Sequence, residues 1–273
     1  MRACGAECQP TTIVREIEIF ESSCRPAKVA TDVADGFIKG VGNPQGRSAL
    51  ISEVLAAELG TWFGLQIPPF AIVANCPVRI QMLSHPGYIE PPLFFSKAVD
   101  GTPRDGGDTF LRRLRRPGDI ARLVVFDTWI RNCDRFMEGS ENSDNLLYAL
   151  SEERGLYELV PIDHSHCFID IDFENDLPGS VPNLINDHQI YGLYPEFIPF
   201  ITADSVDSAL ADLTKLDREF VIECVNALPA EWMFTSGLRS QLVDLICGRA
   251  AFVVGNLRDW LVDPGLPFDG PGE

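Results

Sequence analysis

Basic residues are scarce in this 273-residue chain: 22 Lys and Arg stand against 40 Asp and Glu, a formal net charge of −18 with neutral histidine. A surface of that sign repels nucleic acid and anionic membrane as a whole and argues against bulk binding to either. It does not exclude a nucleotide site, because charges farther off than a Debye length of about 8 Å at physiological salt are largely screened. Long apolar runs are missing too; none approaches the roughly 20 residues of a membrane span. The opening residues, MRACGAECQP, hold no apolar stretch of the signal-peptide kind. Of the eight cysteines only Cys4 and Cys8 are close neighbours, and no second close pair completes a zinc pattern. The chain is too large to need disulfide staples. No internal repeat at solenoid periods is present. These absences predict a soluble, cytoplasmic protein with reduced, mostly buried thiols.

Core-forming material is plentiful. Hydrophobic residues make up 45% of the chain and aromatics 10%, and 273 residues suffice for one large domain or two lobes sharing a cleft. The stretch TTIVREIEIF alternates apolar and polar positions and predicts a strand. In AKVATDVADGFIKGV, Asp35-Gly36 is a hairpin-type turn signal between two short extended runs. An antiparallel meander follows, with Phe37, Ile38 and Lys39 on its last strand. After the loop GVGNPQG, Ser48 is placed to cap a helix to about Phe63, whose buried face would carry Ile51, Leu55, Leu59 and Trp62. Leu65 to Ala74, Arg79 to Leu83 and Leu93 to Val99 read as further strands.

Past residue 100 the character changes. Gly, Pro and Asp crowd 100–108, and Leu111 and Leu114 suggest a short helix. Asp119 is placed to cap a helix over IARLVVFDTWIRN. The polar loop CDRFMEGSENSD leads to NLLYAL and LYELVPIDHSHCFI, a hairpin around a turn at Ser151–Gly155. Asp207–Leu213, Arg218–Leu228 and Leu238–Leu261 have helical periodicity, and the tail is Pro/Gly-rich. The expected fold class is α+β: a small antiparallel-sheet lobe with one helix at 1–99, a larger mainly helical lobe at 100–263, and a tail at 264–273.

Phosphoryl transfer needs a cation on the phosphates, one or two magnesium ligands and a carboxylate near the attacking hydroxyl. Each has a candidate, in the expected chain order: the cation first, then the carboxylate, then the magnesium ligands. Lys39 lies mid-strand between apolar neighbours, and Glu53 follows on the next helix, where the two can pair. Asp134 sits in the loop after a helix, and Asn145 opens the following apolar run. Asp163 ends an apolar strand, a costly place for a carboxylate unless it is paired or metal-bound. Singly, each also has an ordinary reading: a solvated lysine, an exposed helix carboxylate, a capping Asp, a turn Asn, a strand-end or turn Asp.

Together, these segments resemble the HipA-like kinases. GFIKGVGNPQGRSALISEVLAAELGTWFGLQIP is similar to their lysine strand and helix, FDTWIRNCDR with NLLY to their catalytic loop, and LVPIDHSHCF to their metal-binding segment. The last two also resemble the DRHxxN and IDFGH segments of phosphoinositide kinases. The resemblance implies a two-lobed protein kinase-like fold, ATP and Mg2+, and transfer of the γ-phosphate to a hydroxyl on a protein. It implies that Lys39 binds the phosphates with Glu53 as partner, that Asp134 orients or deprotonates the acceptor, and that Asn145 and Asp163 hold magnesium. Ser22 and Ser23 fall where the family has its phosphate-covering loop. Ala98 and Asp100 fall at the lobe junction, where backbone groups hold adenine. Some relatives work beside an antitoxin partner. This chain departs from the family in three ways: Phe136 stands in the histidine position, MEGSENSD lengthens the loop so that Asn142 or Asp144 competes with Asn145 as ligand, and Glu21–Cys24 lacks glycine.

Two rivals remain. A pseudokinase would bind nucleotide or a partner without catalysis. A metal-dependent hydrolase would use His164 and His166, which share one face if their segment is a strand. The arginines at 104, 112, 113, 115, 116 and 122 form the one basic patch; such runs are mostly solvated helix faces, and otherwise dock an acidic or phosphorylated partner.

Overall fold

A computed structural model describes residues 8–20, 26–81, 88–137, 140–169, 173–232 and 235–262. The strands β1 (Ile13–Ile19), β2 (Ala27–Thr31), β3 (Asp35–Val41), β4 (Phe70–Val73) and β5 (Glu90–Lys97) form one sheet in the order β1-β2-β3-β5-β4, and every adjacent pair in it is antiparallel. One helix, α1 (Gly46–Trp62), separates β3 from β4. Beyond β5 come β6 (Gly101–Pro103), α2 (Asp119–Ile130), the short pair β7 (Phe136–Met137) and β8 (Ser140–Glu141), and the hairpin β9 (Leu146–Leu150) and β10 (Tyr157–Pro161). The rest is helical: α3 (Phe173–Asp176), α4 (Val181–Ile185), α5 (Ala203–Leu213), α6 (Arg218–Ala227) and α7 (Ser236–Val262). This is the expected α+β plan of a small sheet lobe with one helix and a larger helical lobe. Among the described residues no helix is long and apolar enough to cross a membrane.

Two hydrophobic cores explain the plan. A small one, including Ile13, Val29, Ile38, Val73, Leu93 and Phe95, lies on one face of the five-stranded sheet. The large one takes in α1 together with α2, α5, α6 and α7. Helix α1 is therefore buried all round from Ala49 to Gly60, not along the single face expected. A helix hydrophobic on every side belongs inside, and its few polar residues must find partners there. Trp129 of α2 fastens the long helix by donating its indole N–H to the Ile246 carbonyl at 2.9 Å.

Several local expectations need correction. The β2–β3 turn is not at Asp35-Gly36 but at Thr31–Ala34, where the Thr31 hydroxyl accepts from the N–H groups of Val33 and Ala34. Gly36 belongs to β3, and a Cβ there would collide with the Phe95 ring and the Ser96 carbonyl, so its small size serves strand packing rather than a turn. Ser48 does not cap α1, which starts two residues earlier; its hydroxyl accepts from the Phe173 N–H at 3.1 Å. Asp119 is the first helical residue of α2, with Gly118 at the cap, and its carboxylate pairs with Arg116 at 2.9 Å. Of the strand expected at Arg79–Leu83, the described part makes a single bridge, Gln81 to Tyr88.

The arginine patch is solvated at Arg112, Arg113 and Arg115, which are exposed, but not throughout. Arg104 is buried and paired with Glu196, Arg115 pairs with Glu158, and Arg122 bonds both Asp212 and the Phe63 carbonyl at 2.7 Å. Arg112 pairs with Asp108 one helical turn away. The described cysteines are free thiols, with Cys8, Cys167 and Cys224 buried. The tail at 264–273 lies outside the described residues.

Gly36→Ala is expected to destabilise the protein by about 1–3 kcal/mol, since the added methyl meets a carbonyl that cannot move without breaking the β3–β5 ladder. Urea denaturation of the variant beside the parent checks this, with a lowered midpoint at unchanged slope as the expected result.

Candidate active site

Lys39 sits mid-way along β3, and its side chain turns off the sheet towards α1. Its ammonium bonds Glu53 Oε1 on that helix and Asp163 Oδ1 at 2.7 Å. The second Glu53 oxygen accepts the His164 backbone N–H at 3.1 Å. One lysine thus ties β3, α1 and the segment after β10 together. Side-chain exposure grades across the trio: 6% for Lys39, 4% for Glu53 and 28% for Asp163. Only Asp163 opens substantially to solvent.

The electrostatics follow from that grading. Burial pushes the Glu53 carboxyl up to about 7, opposed by the Lys39 charge and reinforced by the Asp163 charge. Burial also acts on Asp163, but the Lys39 charge and hydrogen bonds from Lys39 and Ser165 outweigh it and hold this carboxyl well below the usual carboxylate range. Asp163 is therefore anionic throughout the neutral range, while Glu53 titrates within it. Its backbone φ is 50°, in the left-handed region that Asp enters more readily than most residues. The Ser165 hydroxyl, donating to Asp163 Oδ1 at 2.7 Å, helps hold that conformation.

Asp134 lies four residues past the end of α2. Its Oδ2 accepts from the Asn145 amide at 2.8 Å and the Asn142 amide at 3.3 Å. Both competing asparagines therefore converge on it. Asp144 is exposed, and its N–H donates to Asn142 Oδ1. The loop and the Asp163 segment are joined by backbone bonds, Cys133 N–H to the His166 carbonyl at 3.2 Å and Ile162 N–H to the Asn145 carbonyl at 3.1 Å.

Arg135 is the staple that the sequence reading passed over. It is fully buried and donates to Asp127 Oδ2 at 2.7 Å, to the Asn145 carbonyl, and to His164 Nε2 at 3.0 Å. It binds α2, the Asp134 loop and the Asp163 segment at one point. A signal existed: Asp127 interrupts the apolar run LVVFDTWI, and a buried carboxylate requires a cation. Burial and the adjacent Arg135 charge hold His164 well below the ordinary histidine range, so its Nε2 accepts from Arg135.

This overturns the shared histidine face. Strand β10 ends at Pro161 and residues 165–166 form a turn, so 164–166 is not a strand; His164 faces Arg135 and the edge of Phe126, while His166 meets the Gln45 amide. Ala98 and Asp100 lie on the connection from β5 to β6. The Ala98 N–H donates to the Asp35 carbonyl at 3.0 Å, so the adenine expectation for this stretch does not run through that N–H. Ser22 and Ser23 lie outside the described residues.

The donors suit magnesium. Three carboxylates, Glu53, Asp163 and Asp127, pair with the two cations Lys39 and Arg135, while Asp134 is bonded by the Asn142 and Asn145 amides. The candidate ligands Asp163 and Asn145 offer oxygen atoms, the hard donors that Mg2+ prefers. One carboxylate and an amide are also few, and magnesium is usually held by one or two carboxylates plus substrate phosphates rather than by an all-protein cage. Among the described residues no group of three or more His, Cys, Asp or Glu forms a metal-binding cluster.

Comparisons with known proteins bear on the family and the fold. A family model described as HipA-like kinase matches residues 29–251. The fold is similar to the crystal structure of the Helicobacter pylori proinflammatory kinase CtkA, with a TM-score of 0.60 at 12% sequence identity over 94% of this chain and 100% of that one. At that identity the likeness shows the fold alone. No curated protein matches the sequence.

Lys39→Met is expected to destabilise the protein more at pH 8 than at pH 5. In the parent, Glu53 titrates higher folded than unfolded, so its contribution is fully present below about 4.5 and is lost as pH rises through about 7. Without the cation Glu53 rises further and Asp163 loses its depression, and both changes cost most where carboxylates should be ionised. Urea denaturation at the two pH values should show the deficit growing by about 1–3 kcal/mol.

Proposed function

The chain belongs to the HipA-like kinase family, and from that premise we propose that it moves the γ-phosphate of ATP, with magnesium, to a hydroxyl on a protein Ser or Thr. The observation that carries this reading is the buried Lys39 ammonium, bonded at once to Glu53 and to Asp163. A strand lysine paired with a helix glutamate, beside a carboxylate fit for metal, is the arrangement kinase chemistry requires.

Each residue has a distinct task. Lys39 neutralises charge on the α- and β-phosphates, and Glu53 fixes the ammonium in place. Asp163, held anionic, and Asn145 would hold Mg2+. Bound there, the metal supplies charge neutralisation on the phosphates and a fixed orientation for them. Asp134 accepts the hydrogen bond, and then the proton, of the attacking hydroxyl. The amides of Asn142 and Asn145 keep its carboxylate aimed. Arg135 keeps the loop and the Asp163 segment in register through the Asn145 carbonyl and His164. Backbone groups near Ala98 and Asp100 would meet the base.

A nucleotide-binding protein without catalysis is the second reading, favoured by Phe136 in the position where the family has histidine. Comparison of ATP binding with γ-phosphate consumption separates the two, and binding without consumption selects the second.

Asp134→Ala is expected to lower turnover by about 10²-fold or more while ATP still binds, as loss of a general base predicts. Steady-state ADP release measures it, and parent-like turnover removes Asp134 from the mechanism. Asp163→Asn is expected to weaken ATP binding only when magnesium is present. Calorimetry with and without the metal checks this, and a parent whose ATP affinity ignores magnesium rules the assignment out.

A further inference from the structure

The stretch between Asp134 and Asn145 leaves the site and must return to it. Strands β7 and β8 pair as a short hairpin, Phe136 with Glu141 and Met137 with Ser140. At its neck the Asn142 N–H donates to the Arg135 carbonyl at 3.1 Å. The Tyr194 hydroxyl then reaches both carbonyls of that neck, Arg135 O and Asn142 O, each at 2.9 Å. One proton is shared between the two ends of the excursion.

Tyr194 is itself held on every side. It is fully buried. The Arg104 guanidinium lies 3.8 Å from the centre of its ring, and Arg104 is paired with Glu196 in the 3-10 turn that follows Tyr194. The Phe136 ring packs 5.1 Å away on centroids, and the Phe136 carbonyl accepts the Gly192 N–H at 2.9 Å. Gly192 has φ 72°, and a Cβ there would run into the Asp127 carboxylate. Only glycine lets this backbone approach so closely. Residues 192–196 thus form a pedestal under the neck of the hairpin.

We infer that Tyr194 is a positioning residue for phosphoryl transfer. By holding the two ends of the hairpin together it returns Asn142 and Asn145 to Asp134, so the loop is lengthened without separating the carboxylate from its amides. The inference rests on the roles given above to Asp134 and Asn145. Tyr194 acts through backbone carbonyls, and Arg104 with Glu196 aims its ring.

Tyr194→Phe tests this, because it keeps the ring under Arg104 and removes only the hydroxyl. Tyr148→Phe is the control: Tyr148 is also buried, and its hydroxyl has no hydrogen-bond partner among the described residues. ADP formation by the full chain from ATP and magnesium is expected to fall about five- to tenfold in Tyr194→Phe, the effect of losing one buried hydrogen bond. The KM for ATP should stay unchanged and the magnesium concentration for half-maximal rate should rise, while Tyr148→Phe keeps the parent rate. Parent-like turnover and magnesium dependence in Tyr194→Phe overturn the inference, and so do equal losses in the two variants. Asp134→Ala, assayed alongside, separates the failures. An inactive parent, or parent-like turnover in Asp134→Ala, sinks the functional reading and the inference with it; loss there but none in Tyr194→Phe sinks the inference alone.

Discussion

A lysine ammonium closed between two carboxylates is the constraint around which the molecule is arranged. Buried charges cost several kcal/mol each unless paired, so neither Lys39 nor Glu53 has another low-energy place to go. Helix α1 must lie against β3 with Glu53 turned inward, and the chain after β10 must fold back far enough for Asp163 to reach the same ammonium. The apolar burial of α1 on all sides supplies the force for this, and the ion pair supplies the register. Since α1 belongs to the large core and Lys39 to the sheet, the same contact sets how the two lobes meet.

A second buried pair repeats the device within the helical lobe. Arg135 and Asp127 are both fully removed from solvent, and the remaining guanidinium protons go to the Asn145 carbonyl and His164. Removing one partner of such a pair strands the other, which makes the arrangement rigid rather than especially stable. Rigidity is what phosphoryl transfer asks of a protein, because catalysis there is mostly positioning and electrostatics. The two pairs meet at residues 163–164: Asp163 answers Lys39, and His164 answers Arg135 through its ring and Glu53 through its backbone N–H.

Much of this was legible in the sequence, and the reasons are physical. Lys39 between apolar strand neighbours, Glu53 on the next helix and Asp163 at the end of an apolar run are charges in places that charges avoid, so they point to one another. The hairpin of β9 and β10 followed from two apolar runs flanking a turn, and the long helix α7 from periodicity. The parts that stayed hidden are those whose meaning depends on distant partners. Tyr194, Arg104 and Glu196 resemble a core aromatic and two surface charges until the fold brings them under the 136–141 hairpin. Asp35-Gly36 looked like a turn because local chemistry cannot reveal the Phe95 ring across the strand. The competition among Asn142, Asp144 and Asn145 could not be narrowed by spacing, since a hairpin cancels the extra length and brings both amides to Asp134.

The account comes down to whether Lys39, Asp134 and Asp163 surround one triphosphate. A crystal structure of the chain with magnesium and a non-hydrolysable ATP analogue tests that most directly. The account predicts the phosphates against Lys39, a metal on Asp163 and Asn145, and the terminal phosphate facing Asp134. Nucleotide bound elsewhere, with Lys39 still closed between its carboxylates and no phosphate near it, would contradict it.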